Sequence, residues 1–140
     1  MAVESQITGE ISRGFLVLCG FKKDDERGEL SRLVEKCVNL RVFEDEQGKM
    51  NLSLLDIKGG LLVVSQFTLY ANCRKGRRPG FDESMPPDKA EQYYNLLLDE
   101  FRKSGLRVES GIFGAKMEVS LVNDGPVTIM LDAEELSKPR

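Results

Sequence analysis

The sequence contains no histidine. A Ser-His-Asp or Cys-His nucleophile system is therefore excluded, and so is a zinc site with imidazole ligands. Its three cysteines, Cys19, Cys37 and Cys73, are scattered and show no C-x-x-C spacing, which argues against a thiolate metal site. We expect no metal and no cofactor, and chemistry that relies on hydroxyl, carboxylate, lysine, backbone or substrate groups.

Long apolar runs are also missing from the chain. No stretch approaches the ~20 residues needed to cross a bilayer, and the N-terminus, MAVESQITGE, lacks a basic region followed by an apolar one. We therefore expect neither a membrane partner nor a secretory signal. The odd number of scattered cysteines fits a reducing compartment, which predicts a cytoplasmic protein. The length predicts one domain over residues 1–140, with a polar tail over 133–140 that frays.

Hydrophobic periodicity predicts an α+β domain with a mostly antiparallel sheet and two amphipathic helices packed on it. Helices are predicted over 24–40 and 88–105, where apolar residues recur at helical spacing. The run GGLLVVSQFTLYA (59–71) is predicted to be a central strand, because it is apolar along most of its length. Further strands are predicted in ITGEISRGFLVLCGF, LRVES, AKMEVSLVN and VTIMLD.

A compact basic cluster directly follows the predicted central strand. It consists of four residues within a five-residue stretch: Arg74, Lys75, Arg77 and Arg78. On a chain with a formal net charge of −3, such a cluster can steer one polyanionic ligand to one place. The alternative is an exposed loop that only keeps the protein in solution. A ligand bound there would lie near Ser65, Gln66 and Thr68, although Thr68 also suits a strand by propensity alone.

Asp124-Gly125-Pro126 separates two runs that otherwise look like neighbouring strands. Proline cannot donate to a β-ladder, so it is normally confined to strand ends, edges and turns. One interpretation is a plain turn. The other is that the backbone is bent into an unusual shape here because that shape serves a function.

Together these segments resemble the D-aminoacyl-tRNA deacylases, first described as D-tyrosyl-tRNA deacylases. The two signatures of that family stand here as Ser65-Gln66-Phe67-Thr68 and as NDGPVT over residues 123–128. The resemblance spans residues 9–132, with KGRRPGF and GIFGAKMEVSLVNDGPVT in the expected order. Family members usually open with a further strand, whose arginine braces the Gly-Pro loop. This chain begins after the corresponding position, so we expect that N-terminal strand to be missing.

The resemblance implies an intertwined homodimer with its active site at the subunit interface. The Gly-Pro loop of one subunit, with a cis bond between Gly125 and Pro126, would enter the active site of the other. There it would exclude L-aminoacyl groups by collision while admitting D-residues and glycine. The implied reaction is hydrolysis of the ester that joins a D-amino acid to the 3′ end of tRNA, and also of glycyl-tRNA, including glycine mischarged on tRNA-Ala.

The resemblance also assigns residues to this chemistry. The implied catalytic residues are Ser65, Gln66, Phe67 and Thr68. Chiral selection is implied for Gly125 and Pro126, with a supporting set of Asn123, Val127, Thr128 and Met117. The basic residues Arg74, Lys75, Arg77 and Arg78 gain a predicted partner in the acceptor-end phosphates of tRNA.

Two mechanisms fit these assignments. In the first, the Thr68 hydroxyl attacks the ester, but a neutral hydroxyl without a base is a poor nucleophile. In the second, which we favour, the ribose 2′-hydroxyl of the tRNA helps to activate water. Backbone N–H groups around Phe67 and Thr68 then stabilise the oxyanion.

Two further hypotheses come from other functional classes. One is a non-catalytic tRNA- or phosphate-binding dimer module that uses the basic cluster alone. It predicts binding that depends neither on aminoacylation nor on Pro126. The other is a catalytically silent structural dimer, which predicts no deacylation at all.

Overall fold

The protein is a mixed α/β structure, described over residues 1–139 by a computed structural model. Seven strands lie in those residues: β1 (Ala2–Val3), β2 (Gln6–Ile7), β3 (Gly14–Cys19), β4 (Phe43–Glu44), β5 (Met50–Leu52), β6 (Gly60–Ser65) and β7 (Val108–Ser110). The same residues form four helices: α1 (Glu29–Asn39), α2 (Leu54–Ile57), α3 (Pro87–Arg102) and α4 (Ala133–Ser137). None of these helices is both long and apolar enough to cross a membrane.

The largest sheet is parallel, which corrects the prediction of mostly antiparallel pairing. Its strand order is β3-β6-β7, and β6 pairs in parallel with the strand on each side. Antiparallel ladders are found in two small sheets, β1-β2 and β4-β5. Strands that are buried on both faces read as continuous apolar runs, and this is the pattern of β6. The chain passes through α1 between β3 and β6, and through α3 between β6 and β7, as parallel neighbours require.

The core lies on both faces of β6. Leu61 and Val63 belong to the larger apolar cluster, which packs the sheet against α1 and α3. Leu62 and Val64 point to the other face, where they pack with Met1. These four side chains are almost fully buried, so within β6 only Ser65, at its end, could carry polar chemistry.

The two predicted amphipathic helices are present as α1 and α3. The first begins at Glu29 rather than Asp24, and the second at Pro87. The short helix α2 was not predicted. Ser53 is its N-cap: the Ser53 hydroxyl accepts from the Asp56 N–H while the Asp56 carboxylate accepts from the Ser53 N–H, which is a capping box.

The C-terminal region differs most from the sequence prediction. The segments AKMEVSLVN and VTIMLD were predicted as strands, but they form no ladder within residues 1–139. One isolated bridge, between Ala2 and Glu118, is found in the first of them. Residues 121–130, which we call the C-terminal arm, are all exposed. The predicted fraying tail forms α4 over Ala133–Ser137, because the Asp132 side chain caps the Glu134 N–H. Arg140 lies outside the described residues.

Gly14 allows β3 and β6 to approach closely at their first residues. It has a φ of +157°, and a Cβ at this position would lie 1.9 Å from the Gly60 carbonyl oxygen. Replacing Gly14 with alanine should therefore lower the free energy of unfolding by about 3 kcal/mol or more, through backbone strain and collision together. Urea denaturation measures this change.

Gly28→Ala is the matched control. Gly28 has a φ of −64°, and an added Cβ would meet nothing within 4 Å. Its substitution should change the unfolding free energy by no more than about 1 kcal/mol. Equal effects of the two alanine variants would contradict the role given to Gly14.

Candidate functional site

The Ser-Gln-Phe-Thr motif lies where β6 leaves the sheet. The β3-β6 register ends at Cys19 and Ser65, and the Gln66 N–H adds one more bond to the Cys19 carbonyl at 2.7 Å. The chain then turns into a 3₁₀ helix over Phe67–Tyr70, so the prediction of one strand through residue 71 is wrong beyond Ser65. The physical reason is that neither β3 nor β7 extends beyond this point to pair with a longer strand. We call residues 65–70 the motif turn.

The Thr68 side chain is exposed on the motif turn and has no basic partner there. The Gln66 amide donates to the Thr68 hydroxyl, and within residues 1–139 the Thr68 side chain makes no other hydrogen bond. A nucleophilic hydroxyl needs an acceptor for its proton, and an amide donor does not supply one. The geometry around Thr68 is therefore that of a polar contact rather than of an activated nucleophile.

Two titratable groups near the motif turn, Tyr70 and Cys19, are held in their neutral forms. Burial, together with the surrounding carboxylates led by Asp25 and Asp132, raises the pKa of Tyr70 to about 12. Burial likewise raises the pKa of the Cys19 thiol to about 12. At neutral pH neither group is ionised, so neither can serve as a general base or a thiolate nucleophile.

An acidic cavity of about 200 Å³ lies beside Tyr70. Its walls include Asp24, Asp25, Glu29 and Asp132, with Lys22 as a cationic member. This surplus of carboxylates does not suit an RNA phosphate. Within residues 1–139, no three His, Cys, Asp or Glu side chains form a group that could hold a metal ion.

The basic cluster lies on a loop that is closed at its base. Asn72 and Gly80 exchange two backbone hydrogen bonds, of 2.7 and 2.8 Å, and the Asn72 side chain accepts from the Arg74 N–H at 3.0 Å. We call residues 73–79 the basic loop. Its four cationic side chains are exposed, and none of them forms an ion pair with another described residue: Arg74, Lys75, Arg77 and Arg78. They remain available to an anionic partner.

The basic loop and the motif turn are neighbours. Phe81, which follows the loop, contacts Phe67 edge to face with ring centroids 4.9 Å apart. The Ser84 hydroxyl donates to the Phe67 carbonyl at 3.2 Å. Sequence reasoning missed both contacts. Phe81 carried a weak signal as the aromatic residue that ends KGRRPGF, whereas nothing in the sequence marked Ser84.

The Asn-x-Gly-Pro-x-Thr motif closes a loop of its own. The Asn123 side chain accepts from the Val127 N–H at 3.0 Å and donates to the Thr128 hydroxyl at 3.1 Å. Between them, the Gly125-Pro126 peptide bond is cis. Gly125 has a φ of +143°, which other residues rarely adopt. Asn123, Gly125 and Thr128 of the motif therefore have local structural roles.

Among the described residues, this Gly-Pro loop is not bonded to the other candidate residues. Across residues 1–139, no hydrogen bond, ion pair or aromatic contact links residues 123–128 to the motif turn or the basic loop. Met117 packs with the Met1 cluster on the face of β6 opposite the helices. Within residues 1–139, described contacts thus join the motif turn to the segment that follows the basic loop, and none of them includes the Gly-Pro loop.

Comparisons with known proteins agree on one family. The profile described as D-Tyr-tRNA(Tyr) deacylase matches residues 1–132. A D-aminoacyl-tRNA deacylase of Thermosipho africanus is 56% identical over 134 residues, covering 96% of this chain and 90% of the relative. One of Aquifex aeolicus is 51% identical with the same coverage.

Solved structures resemble the fold as well. A protein described as the c-Myc DNA unwinding element binding protein superposes with a TM-score of 0.87 at 44% identity, covering 94% of this chain and 89% of that one. A probable eukaryotic D-amino acid tRNA deacylase superposes with a TM-score of 0.66 at 20% identity, covering 76% and 77%. The second is a likeness of fold alone.

Substitution of Asn123 should loosen the Gly-Pro loop without unfolding the protein. Asn123→Ala removes both side-chain hydrogen bonds of the loop, so the Val127 amide should exchange about fivefold faster. Because the loop is exposed, the unfolding free energy should change by no more than about 0.5 kcal/mol. Hydrogen exchange followed by NMR measures the first effect and urea denaturation the second.

Asp124→Ala serves as the control in the same loop. The Asp124 side chain makes no hydrogen bond with another residue of the described chain. Its variant should keep the wild-type exchange rate at Val127. A Val127 amide that exchanges equally fast in both variants would show that Asn123 does not hold the loop.

Proposed function

Because the chain belongs to the D-Tyr-tRNA(Tyr) deacylase family, we propose that it is a D-aminoacyl-tRNA deacylase, a hydrolase of aminoacyl-tRNA esters. Similarity to curated deacylases over nearly the whole chain is the observation that carries this proposal. The substrate is the 3′ end of a tRNA esterified to a D-amino acid. The products are the free D-amino acid and the tRNA, and the reaction takes place in the cytoplasm.

Catalysis in this proposal depends on the backbone of the motif turn and on the RNA. Water attacks the ester carbonyl carbon, and the C–O bond to the ribose breaks. The ribose oxygen leaves with a proton that derives from the attacking water. The 2′-hydroxyl of the terminal ribose activates that water, which agrees with the absence of a base at Thr68. Backbone N–H groups of Phe67 and Thr68 stabilise the oxyanion, at roughly 2.7–4 kcal/mol for each such donor in other enzymes.

Selection of the D-enantiomer requires a second copy of the chain. In the proposed homodimer, the Gly-Pro loop of one protomer enters the active site of its partner. The C-terminal arm supports this arrangement, because its apolar side chains are exposed: Val122 is 90% exposed and Met130 is 91% exposed. Apolar groups exposed in a cluster usually mark an interaction surface. The lack of a described contact between the Gly-Pro loop and its own motif turn is consistent with a role in trans.

The Gly-Pro loop acts by steric exclusion. The carbonyls of Gly125 and Pro126 accept hydrogen bonds from the α-amino group of the substrate. With that group fixed, an L side chain collides with the loop while a D side chain projects to solvent. Glycine has no side chain to exclude, so glycyl-tRNA, including glycine mischarged on tRNA-Ala, is also a substrate.

The basic loop holds the acceptor end of the tRNA. Four exposed cationic side chains next to the motif turn suit phosphate groups close to the scissile ester. Contacts to phosphates fix position without reading sequence, as an enzyme that serves many tRNAs requires.

Deacylation of matched D- and L-tyrosyl-tRNA tests the proposed function. The wild-type protein should release D-tyrosine at least about a hundredfold faster than L-tyrosine, because collision with the loop is a difference of several kcal/mol. Pro126→Ala should reduce this ratio, since alanine removes the ring that fixes φ at that position. Release of free tyrosine is measured directly.

Release of D-tyrosine would exclude both competing hypotheses, and measurements of tRNA binding and of oligomeric state distinguish them from each other. A phosphate-binding module would bind charged and uncharged tRNA equally, whether or not Pro126 is replaced. A silent dimer would form the oligomer without cleaving either ester. Equal cleavage of the D- and L-esters by the wild-type protein would refute chiral selection.

Thr68→Ala tests which group activates the attack. If RNA assists catalysis, the variant should keep a rate within about tenfold of wild type, since only a side-chain contact is lost. Loss of an essential nucleophile costs up to about 10⁶-fold in other hydrolases. Single-turnover rates with D-tyrosyl-tRNA decide the matter, and near-complete inactivation with tRNA binding intact would favour the nucleophile.

A further inference from the structure

We propose that Phe81 and Ser84 are positioning residues that hold the Phe67–Thr68 peptide group in its working orientation. The inference rests on the proposed function, in which the N–H groups of that region stabilise the oxyanion. Both residues lie outside the motif turn and contact it from the segment that follows the basic loop.

The segment that carries Ser84 is fixed to the body of the protein. Met85 is 4% exposed, and its N–H donates to the Phe21 carbonyl at 2.9 Å. One residue before Ser84, the Glu83 carbonyl accepts from the Lys23 N–H, also at 2.9 Å. Ser84 is therefore held between two backbone hydrogen bonds and a buried side chain. It can act as a rigid support for a neighbouring turn.

Ser84 fixes the direction of one peptide group of the motif turn. Its hydroxyl donates to the Phe67 carbonyl at 3.2 Å. In a planar trans peptide, the carbonyl of Phe67 and the N–H of Thr68 point in opposite directions. Holding the carbonyl against Ser84 therefore holds the Thr68 N–H on the opposite side of the peptide group. A hydrogen bond to the carbonyl also polarises the peptide, which makes the N–H a stronger donor.

Phe81 fixes the side chain of the same residue. The rings of Phe81 and Phe67 meet at 4.9 Å with an interplanar angle of 64°, within the preferred edge-to-face geometry. Phe67 is 56% exposed and Phe81 is 38% exposed, so this pair is not part of the core. Since Phe81 follows Gly80, which closes the basic loop, the contact also joins the basic loop to the motif turn.

Gly20 lies close to the motif turn at Gln66 and Leu69. A Cβ at Gly20 would lie 2.8 Å from the Gln66 carbonyl oxygen and 3.2 Å from the Leu69 Cβ. The motif turn thus has three close contacts. Gly20 approaches Gln66, Ser84 bonds to the Phe67 carbonyl, and Phe81 packs on the Phe67 ring. These contacts restrict rotation of the Phe67–Thr68 peptide.

The test compares kcat and KM for D-tyrosyl-tRNA in two variant pairs. Phe81→Ala should lower kcat about fivefold and leave KM within about twofold, and Phe81→Tyr, which keeps the ring, should restore kcat. Ser84→Ala should lower kcat by a similar factor of about five, and Ser84→Thr, which keeps the hydroxyl, should restore it. Urea denaturation of each variant separates a loss of kcat from a loss of fold.

Ser104→Ala is the matched control for Ser84. The Ser104 hydroxyl also donates to a phenylalanine carbonyl, that of Phe101, but at the end of α3. Removing it should leave kcat unchanged. A fall in kcat equal to that of Ser84→Ala would mean that general loosening, rather than local positioning, explains both results.

A second measurement needs no substrate. In ¹H–¹⁵N NMR spectra, the Thr68 amide resonance should move in Ser84→Ala and return toward its wild-type position in Ser84→Thr. An unchanged Thr68 resonance would overturn the inference, whether or not the protein is active. An unchanged kcat in both alanine variants of an active enzyme would also overturn it. A raised KM in Phe81→Ala, with a weaker salt dependence of tRNA binding, would overturn it as well, because it would assign Phe81 to the phosphate contacts. Failure of the wild-type protein to deacylate would instead refute the proposed function.

Discussion

Parallel pairing of β6 on both of its edges fixes where the polar motif leaves the sheet. The ladder with β3 begins at the close approach of Gly14 and Gly60 and ends at Cys19 and Ser65. Along β6 both faces are buried, so polar side chains have no place until the strand ends. The first residues beyond the ladder must turn and become exposed. A functional motif at this position directly follows a buried strand, which fixes its position, and its own side chains are accessible to solvent.

The candidate site has two parts: one is bonded to the core, and the other is held, within residues 1–139, by local hydrogen bonds alone. The motif turn, the basic loop and the segment 81–85 are joined to each other and to the core by backbone bonds and by a buried Met85. The Gly-Pro loop is carried by the C-terminal arm, whose shape depends on local bonds between Asn123, Val127 and Thr128. Rigid support suits the stabilisation of developing charge, because donors must be held before the reaction.

Sequence periodicity predicted the elements that bury one face against the sheet. Helix α1 repeats its apolar residues on one stripe, and α3 does the same, so both were found. The direction of the sheet was not predicted, because the apolar run of β6 fixes its burial but not the direction of its neighbours. The end of β6 was missed for a related reason. SQFTLYA has strand propensity throughout, and only the lengths of β3 and β7 decide that pairing stops at Ser65.

The C-terminal arm was predicted as strands for a reason that the structure partly preserves. Alternation of buried and exposed side chains is present at Met117 and Val119, which pack on the Met1 cluster. The sequence continues the alternation to Leu121, yet Leu121 is 58% exposed. A half-apolar, extended segment without a ladder exposes apolar side chains and unpaired backbone groups, a combination that is typical of a surface that pairs with another chain. In the proposed homodimer, a second copy of the chain would supply such a surface. In that proposed homodimer, the same contact would place the Gly-Pro loop at the motif turn of the partner, so pairing of the arm and completion of the site would be one requirement.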